Sequence, residues 1–181
     1  MVHEVTDYMK KVKDGTVDNK AGSLIIRKAR IGDVKKVHKI LSAYTTEGTV
    51  LPRSLSELYD QLRDFFVAVE HGDGPIIGTC AMHICWDEIA EIRSLAVVDG
   101  YQRAGTGTAL MKACIEEARQ LEVDRIFVLT CAVKFFRKFG FKKVDKAVLP
   151  HKVWSDCMKC VKFPDCDEEA LILQLTGSKP A

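Results

Sequence analysis

The sequence predicts an α/β domain, a mixed sheet with helices on both faces. Three observations carry this. Strand-like and helix-like rhythms alternate in the order β-α-α-β-β-β-α-β-α-β-β. A glycine loop joins an apolar strand to an amphipathic helix. With 47% hydrophobic and 29% charged residues over 181 positions, the chain can close one core and is not a disordered segment.

The elements follow in order. Residues 1–22 form a polar N-terminal extension, read as a short helix or a frayed lead-in. Ser23 to Arg30 has the apolar centre of a strand. Gly32-Asp33 opens a helix, with Asp33 as its cap, and Val34, Val37, Leu41 and Tyr44 recur at helical spacing before Gly48. Pro52 breaks the chain ahead of a second helix, capped by Ser54 and running to about Arg63. Phe65 to Val69 and Ile76 to Trp86 flank the turn His71 to Pro75 and read as a hairpin. Ile89 to Val98 is a further strand. The loop Gly100 to Gly107 leads into a helix whose Leu110, Met111, Cys114, Ala118 and Leu121 share one face. Arg125 to Thr130 is a strand, and Ala132 to Phe139 a short helix ended by Gly140. Phe141 to Asp145 and Ala170 to Leu175 close the sheet. The domain spans 23–176, with a Cys-rich loop at 150–168 and a tail at 177–181.

Charge narrows the function. The 27 Lys and Arg nearly balance the 25 Asp and Glu, so a dedicated nucleic-acid binder is not expected. No apolar run approaches the roughly 20 residues of a membrane helix, and no secretory signal stands at Met1 to Lys20. Of seven cysteines, Cys80, Cys85, Cys114 and Cys131 lie inside apolar runs and read as small buried hydrophobes. The odd count suits a reducing compartment, so a cytoplasmic location is expected.

Gln102-Arg103-Ala104-Gly105-Thr106-Gly107 sits between strand and helix. Such a loop offers backbone N–H groups to an anion, and the helix dipole adds positive potential. It is neither a P-loop nor a dinucleotide fingerprint, since the Gly-Lys-Ser/Thr and the third glycine are missing. The same spacing also suits a tight turn that needs two glycines.

This Gln-x-x-Gly-x-Gly loop, with SLAVV before it and FFRKFGF after the next strand, resembles motif A and its neighbours in the GNAT superfamily of N-acetyltransferases. The resemblance covers roughly Ser23 to Leu175. It implies the acyl-CoA N-acyltransferase fold, with a mostly antiparallel central sheet, and acetyl-CoA as co-substrate. It assigns Gln102, Arg103, Ala104, Gly105, Thr106, Gly107 and Thr108 to the pyrophosphate. The backbone at Leu95, Ala96 and Val97 falls to the pantetheine arm, and Phe136 to the same cofactor-binding set. VLPRSLSEL, AEIRSLAV and VLPHKVWSDC resemble the single-domain N-acetylglutamate synthase-type enzymes, which acetylate L-glutamate in the first step of arginine biosynthesis. That implies a small amino-acid substrate. A homodimer is one arrangement open to the chain.

Acetyl transfer needs a neutral amine, so a base must take a proton. Glu91, mid-strand between Ala90 and Ile92, is the first choice, and it matches the general-base glutamate of histone acetyltransferases in the same superfamily. Partial burial there is expected to raise its pKa. An ion pair with Arg93, two residues on and on the same face, is the other reading. His83, on the preceding strand, is a second candidate base and also reads as a packed or surface histidine. A carboxylate substrate calls for arginine, whose guanidinium binds it bidentately. Arg53, ahead of a helix and matching a glutamate-binding arginine of the synthases, Arg93 and Lys152 are the candidates. Arg53 also reads as a solvated loop charge. One departure stands out: many family members place a Tyr where Phe136 stands, and Phe136 has no hydroxyl to protonate the leaving thiolate. An acyl-CoA sensor, and transfer to a polyamine or a protein N-terminus, therefore stay open.

His151, Cys157, Cys160 and Cys166 complete a four-ligand N/S set of the kind a structural zinc needs. A dithiol at Cys157 and Cys160 and simple packing are the alternatives. A redox- or zinc-linked interaction module is the remotest reading.

Overall fold

The structure is a computed structural model that describes residues 16–17, 24–46, 50–72, 74–149, 158, 162 and 165–175. Among the described residues, eight strands form one sheet. They are β1 (Thr16–Val17), β2 (Leu24–Lys28), β3 (Phe65–Glu70), β4 (Ile76–Ile84), β5 (Ile89–Val97), β6 (Arg125–Thr130), β7 (Lys142–Val144) and β8 (Glu169–Gln174). The helices are α1 (Val34–Thr46), α2 (Leu55–Asp60), α3 (Thr106–Gln120) and α4 (Val133–Arg137). The strand order is β1-β2-β3-β4-β5-β6-β8-β7. Every neighbouring pair is antiparallel except β5 and β6.

β4 is buried on both faces over its first seven residues, which fixes helices above and below it. On one face Leu110, Met111, Cys114 and Ala118 of α3 pack with Cys80, Met82 and Ile126. On the other, Val34, Val37 and Leu41 of α1 and Leu58 of α2 cover Phe65, Val67, Ala81 and Ala96. Ser54 caps α2 as expected: its Oγ accepts from Glu57 N at 3.2 Å, and Ser54 N donates to the Glu57 carboxylate at 2.8 Å.

Four expectations are corrected. Asp33 does not cap α1. It ends a 3-10 turn, Ile31–Asp33, where its carboxylate accepts from Arg30 N at 2.8 Å and from Arg27 at 2.6 Å. Burial pushes this carboxyl up, but the Arg27 and Arg30 donors outweigh it and hold it below its usual range. α2 stops at Asp60, and a 3-10 turn, Leu62–Asp64, carries the chain into β3. Leu121 lies one residue past α3 and is 56% exposed. Cys80, Cys85 and Cys114 are buried, but Cys131 is exposed, because β6 ends one residue before it. Within the polar lead-in, Thr16–Val17 pairs with β2 as an edge strand, a pairing the local sequence does not signal.

β5 and β6 share three parallel rungs, Ile89 with Arg125, Ala90 with Ile126, and Glu91 with Phe127. Beyond Glu91 they separate. The β4–β5 register shifts between Thr79 and Ala81, whose partners are Ala96 and Arg93, so β5 carries an extra residue there. Ser94 in that bulge has φ of 54°, a left-handed conformation that bends the strand.

Candidate active site

The separation of β5 from β6 opens a cleft of about 1180 Å³. Leu95, Ala96 and Val97 form part of one wall, and Val128, Leu129 and Thr130 part of the other. The glycine loop closes one end. Gly105, with φ of 93°, directly precedes the first turn of α3, and Arg103 adopts φ of 61°. The Tyr101 hydroxyl donates to Glu70 at 2.8 Å and ties the loop to the end of β3; that bond and burial raise the phenol's pKa. Gln102, Arg103, Gly105, Gly107 and Thr108 line the cleft. Thr106 is buried beneath the loop, its hydroxyl donating to Tyr101 O at 3.3 Å, and Ala104 is exposed. Gln102 Nε2 folds back, donating to Asp99 at 2.8 Å and to Val97 O at 3.2 Å.

Phe136 borders the cleft but is only 3% exposed, stacked edge-on against Phe135 and Phe141 in the core. Phe135 reaches the loop, within 3.6 Å of where a Cβ on Gly107 would stand.

Glu91, Arg93 and Arg53 all line the same cleft. Glu91 and Arg93 form an ion pair at 3.6 Å, so the pairing foreseen as the alternative to a free base exists. Arg53 sits just before Ser54 and is 8% exposed. It is therefore a buried charge in the wall and not a solvated one. His83, opposite Glu91 in the β4–β5 ladder, bonds to Asp64 through Nδ1 at 2.7 Å.

Several lining residues carried no sequence signal for this cleft. Tyr44 of α1 donates its hydroxyl to Val97 O at 2.6 Å. Cys131, Lys138, Lys162, Cys166, Asp167 and Glu168 also line the cleft, and Asp167 and Glu168 reach it because β8 pairs beside β6 up to Thr130 and Glu169. Burial raises Glu168, Lys162 opposing it, and burial with Asp167 and Glu168 raises the Cys131 thiol. The Lys162 ammonium, donating to Asp167 at 2.9 Å, lowers that carboxyl.

His151, Lys152, Cys157 and Cys160 lie outside the described residues. Cys166 is half-buried, its Sγ 4.0 Å from Glu168 Oε2. Among the described residues no cluster of three His, Cys, Asp or Glu side chains is placed to hold a metal, and no helix is long and apolar enough to cross a membrane.

Residues 34–141 match the acetyltransferase (GNAT) family. An uncharacterized N-acetyltransferase of Chlorobaculum tepidum is 36% identical over 155 residues, which span 86% of this chain and 99% of that protein. An amino-acid acetyltransferase of Mycobacterium tuberculosis is 31% identical over 134 residues, 73% of this chain and 76% of the relative. A crystal structure of a Mycobacterium tuberculosis protein in complex with CoA and NLQ is also similar. Its TM-score is 0.70 at 28% identity, covering 84% of this chain and 99% of that one.

Proposed function

The chain belongs to the acetyltransferase (GNAT) family, and from that premise we propose that it transfers acetyl from acetyl-CoA to the α-amine of an amino acid, L-glutamate first. The observation that carries the reading is a single cleft lined by a helix N-terminus, a separated strand, a carboxylate and a buried arginine. Four features of the chain fit the reaction and its two substrates. The loop Gln102 to Thr108 and the first amides of α3 suit a pyrophosphate. The side of β5 at Leu95 to Val97 that faces away from β4, beyond the last β5–β6 rung at Glu91, suits the amides of a pantetheine arm. Glu91 takes the ammonium proton, and the neutral amine attacks the thioester carbonyl. The C–N bond forms, the nitrogen gives up its second proton to solvent, the C–S bond breaks, and the thiolate leaves with the electron pair. Phe136 offers no proton, so solvent supplies it; a thiol with pKa near 8.5 is a fair leaving group. Arg53 takes a substrate carboxylate.

The test is CoA release from acetyl-CoA with purified protein against a panel of free amino acids. Turnover confined to L-glutamate or L-glutamine supports the reading. Acetyl-CoA binding without turnover on any amino acid overturns it, in favour of another amine, a protein N-terminus or an acyl-CoA sensor.

A further inference from the structure

We infer that Arg93 is a positioning residue for Glu91, held in place by Gln61 and Asp64, and not a receptor for the substrate carboxylate. This rests on the reading of Glu91 as the base.

The geometry commits the guanidinium to partners within the chain. Arg93 donates to Gln61 Oε1 at 2.8 Å. It lies 3.6 Å from Asp64 Oδ2 and 3.6 Å from Glu91 Oε2. Its side chain is 9% exposed. Two carboxylates already share one positive charge. A third, from substrate, would meet a centre with no surplus to offer, whereas Glu91 gains a fixed orientation.

The acceptors come from elements that cannot drift independently. Gln61 closes α2, Asp64 ends the 3-10 turn behind it, and the turn runs directly into β3 at the buried Phe65. Asp64 is pinned a second time, by His83 at 2.7 Å on the strand beside Glu91. Arg53 stands at the other end of the same short segment, one residue ahead of the Ser54 cap. The segment 53–64 thus carries both the carboxylate receptor and the brace that aims the base. A base displaced by about 1 Å loses on the order of 100-fold in rate.

Steady-state kinetics with acetyl-CoA and L-glutamate test this on Arg93→Ala, Asp64→Asn and Gln61→Ala, beside Glu91→Gln and Arg53→Ala. Arg93→Ala and Asp64→Asn are expected to lower kcat about 10- to 100-fold while the L-glutamate KM stays within about threefold. In the Glu91→Gln background Asp64→Asn should add no further loss, a non-additivity that a merely structural role does not produce. Gln61→Ala, which removes one neutral acceptor, keeps the test open should Arg93→Ala not fold, and is expected to lower kcat in the same way. A large rise in L-glutamate KM with kcat preserved in Arg93→Ala overturns the inference alone. Additive losses in the double variant do the same. An unchanged kcat in Glu91→Gln, or no turnover with any amino acid in the unaltered protein, overturns the reading of the site and this inference with it.

Discussion

Gly78 of β4 lies where α3 crosses the sheet, and replacing it with Ala probes that crossing directly. A Cβ there would stand 3.1 Å from Ala96 O, 3.2 Å from Leu110 Cδ1 and 3.3 Å from Thr106 Cγ2. The Leu110 methyl can give by a few tenths of an ångström, but the Ala96 carbonyl sits in the ladder. Overpacking of this kind costs about 1–3 kcal/mol. Loss of unfolded-state freedom on Gly→Ala returns about 0.4–1 kcal/mol. The net is a destabilisation of about 1–2 kcal/mol, or some 2–8 °C in Tm for a chain of this length. Ala96 lies on the strand edge assigned to the pantetheine arm and Thr106 begins α3, so the acetyl-CoA KM should rise more than kcat falls. Thermal unfolding and acetyl-CoA titration read both effects. Gly32→Ala is the control, since a Cβ there meets nothing within 4 Å. An unchanged Tm and an unchanged acetyl-CoA KM in Gly78→Ala would show that α3 does not press on β4 as described.

Glu91→Gln should lower kcat by about 100-fold or more with acetyl-CoA KM preserved, as expected for loss of a general base. Arg53→Ala should raise the L-glutamate KM by tenfold or more, about 1.4 kcal/mol or above, with kcat less affected. Ser54→Ala removes the α2 cap and should cost about 1 kcal/mol in chemical denaturation. Asp33 has a folded pKa below its unfolded value, so its contribution is present above about pH 4 and is lost as pH falls through the folded value. Asp33→Asn should therefore lower Tm at pH 7, and the difference should close in acid. Metal analysis under reducing, chelator-free conditions decides among the readings of His151, Cys157, Cys160 and Cys166: about one zinc per chain supports a structural metal, and none leaves a dithiol or simple packing.

What was legible in the sequence was local. The strands and helices around Leu24, Val34, Phe65, Ile76 and Leu110 follow from apolar period and flanking turn residues, and the Ser54 cap from a motif three residues long. Asp33 misled because a short polar side chain before a helix suits several hydrogen-bonding patterns, and Arg27, six residues back, decides between them. Cys131 misled because an apolar run does not mark the residue at which a strand leaves the sheet. The loop at Gly105 announced itself because backbone chemistry is written in consecutive residues. The lining at Glu168 did not, since that residue reaches the cleft only through the pairing of β8 beside β6, about 40 residues away in sequence.

The placement of charge along the cleft also bears on which amine it takes. Lys162 and Asp167 satisfy each other at 2.9 Å, and Arg93 is spread over Glu91 and Asp64. Arg103 stands in the glycine loop itself, where a ligand carrying phosphates gains from it. Arg53, the carboxylate receptor of the proposed reading, is a buried cation in the wall. A polyamine would bring a second ammonium against that arginine, a like-charge contact in a partly desolvated place. An amino acid brings a carboxylate instead and turns the same contact into attraction. Spermidine should therefore show no turnover under conditions where L-glutamate is acetylated, and Arg53→Glu should narrow that gap by weakening L-glutamate. Turnover of spermidine by the unaltered protein would mean that Arg53 does not face the substrate's second charged group.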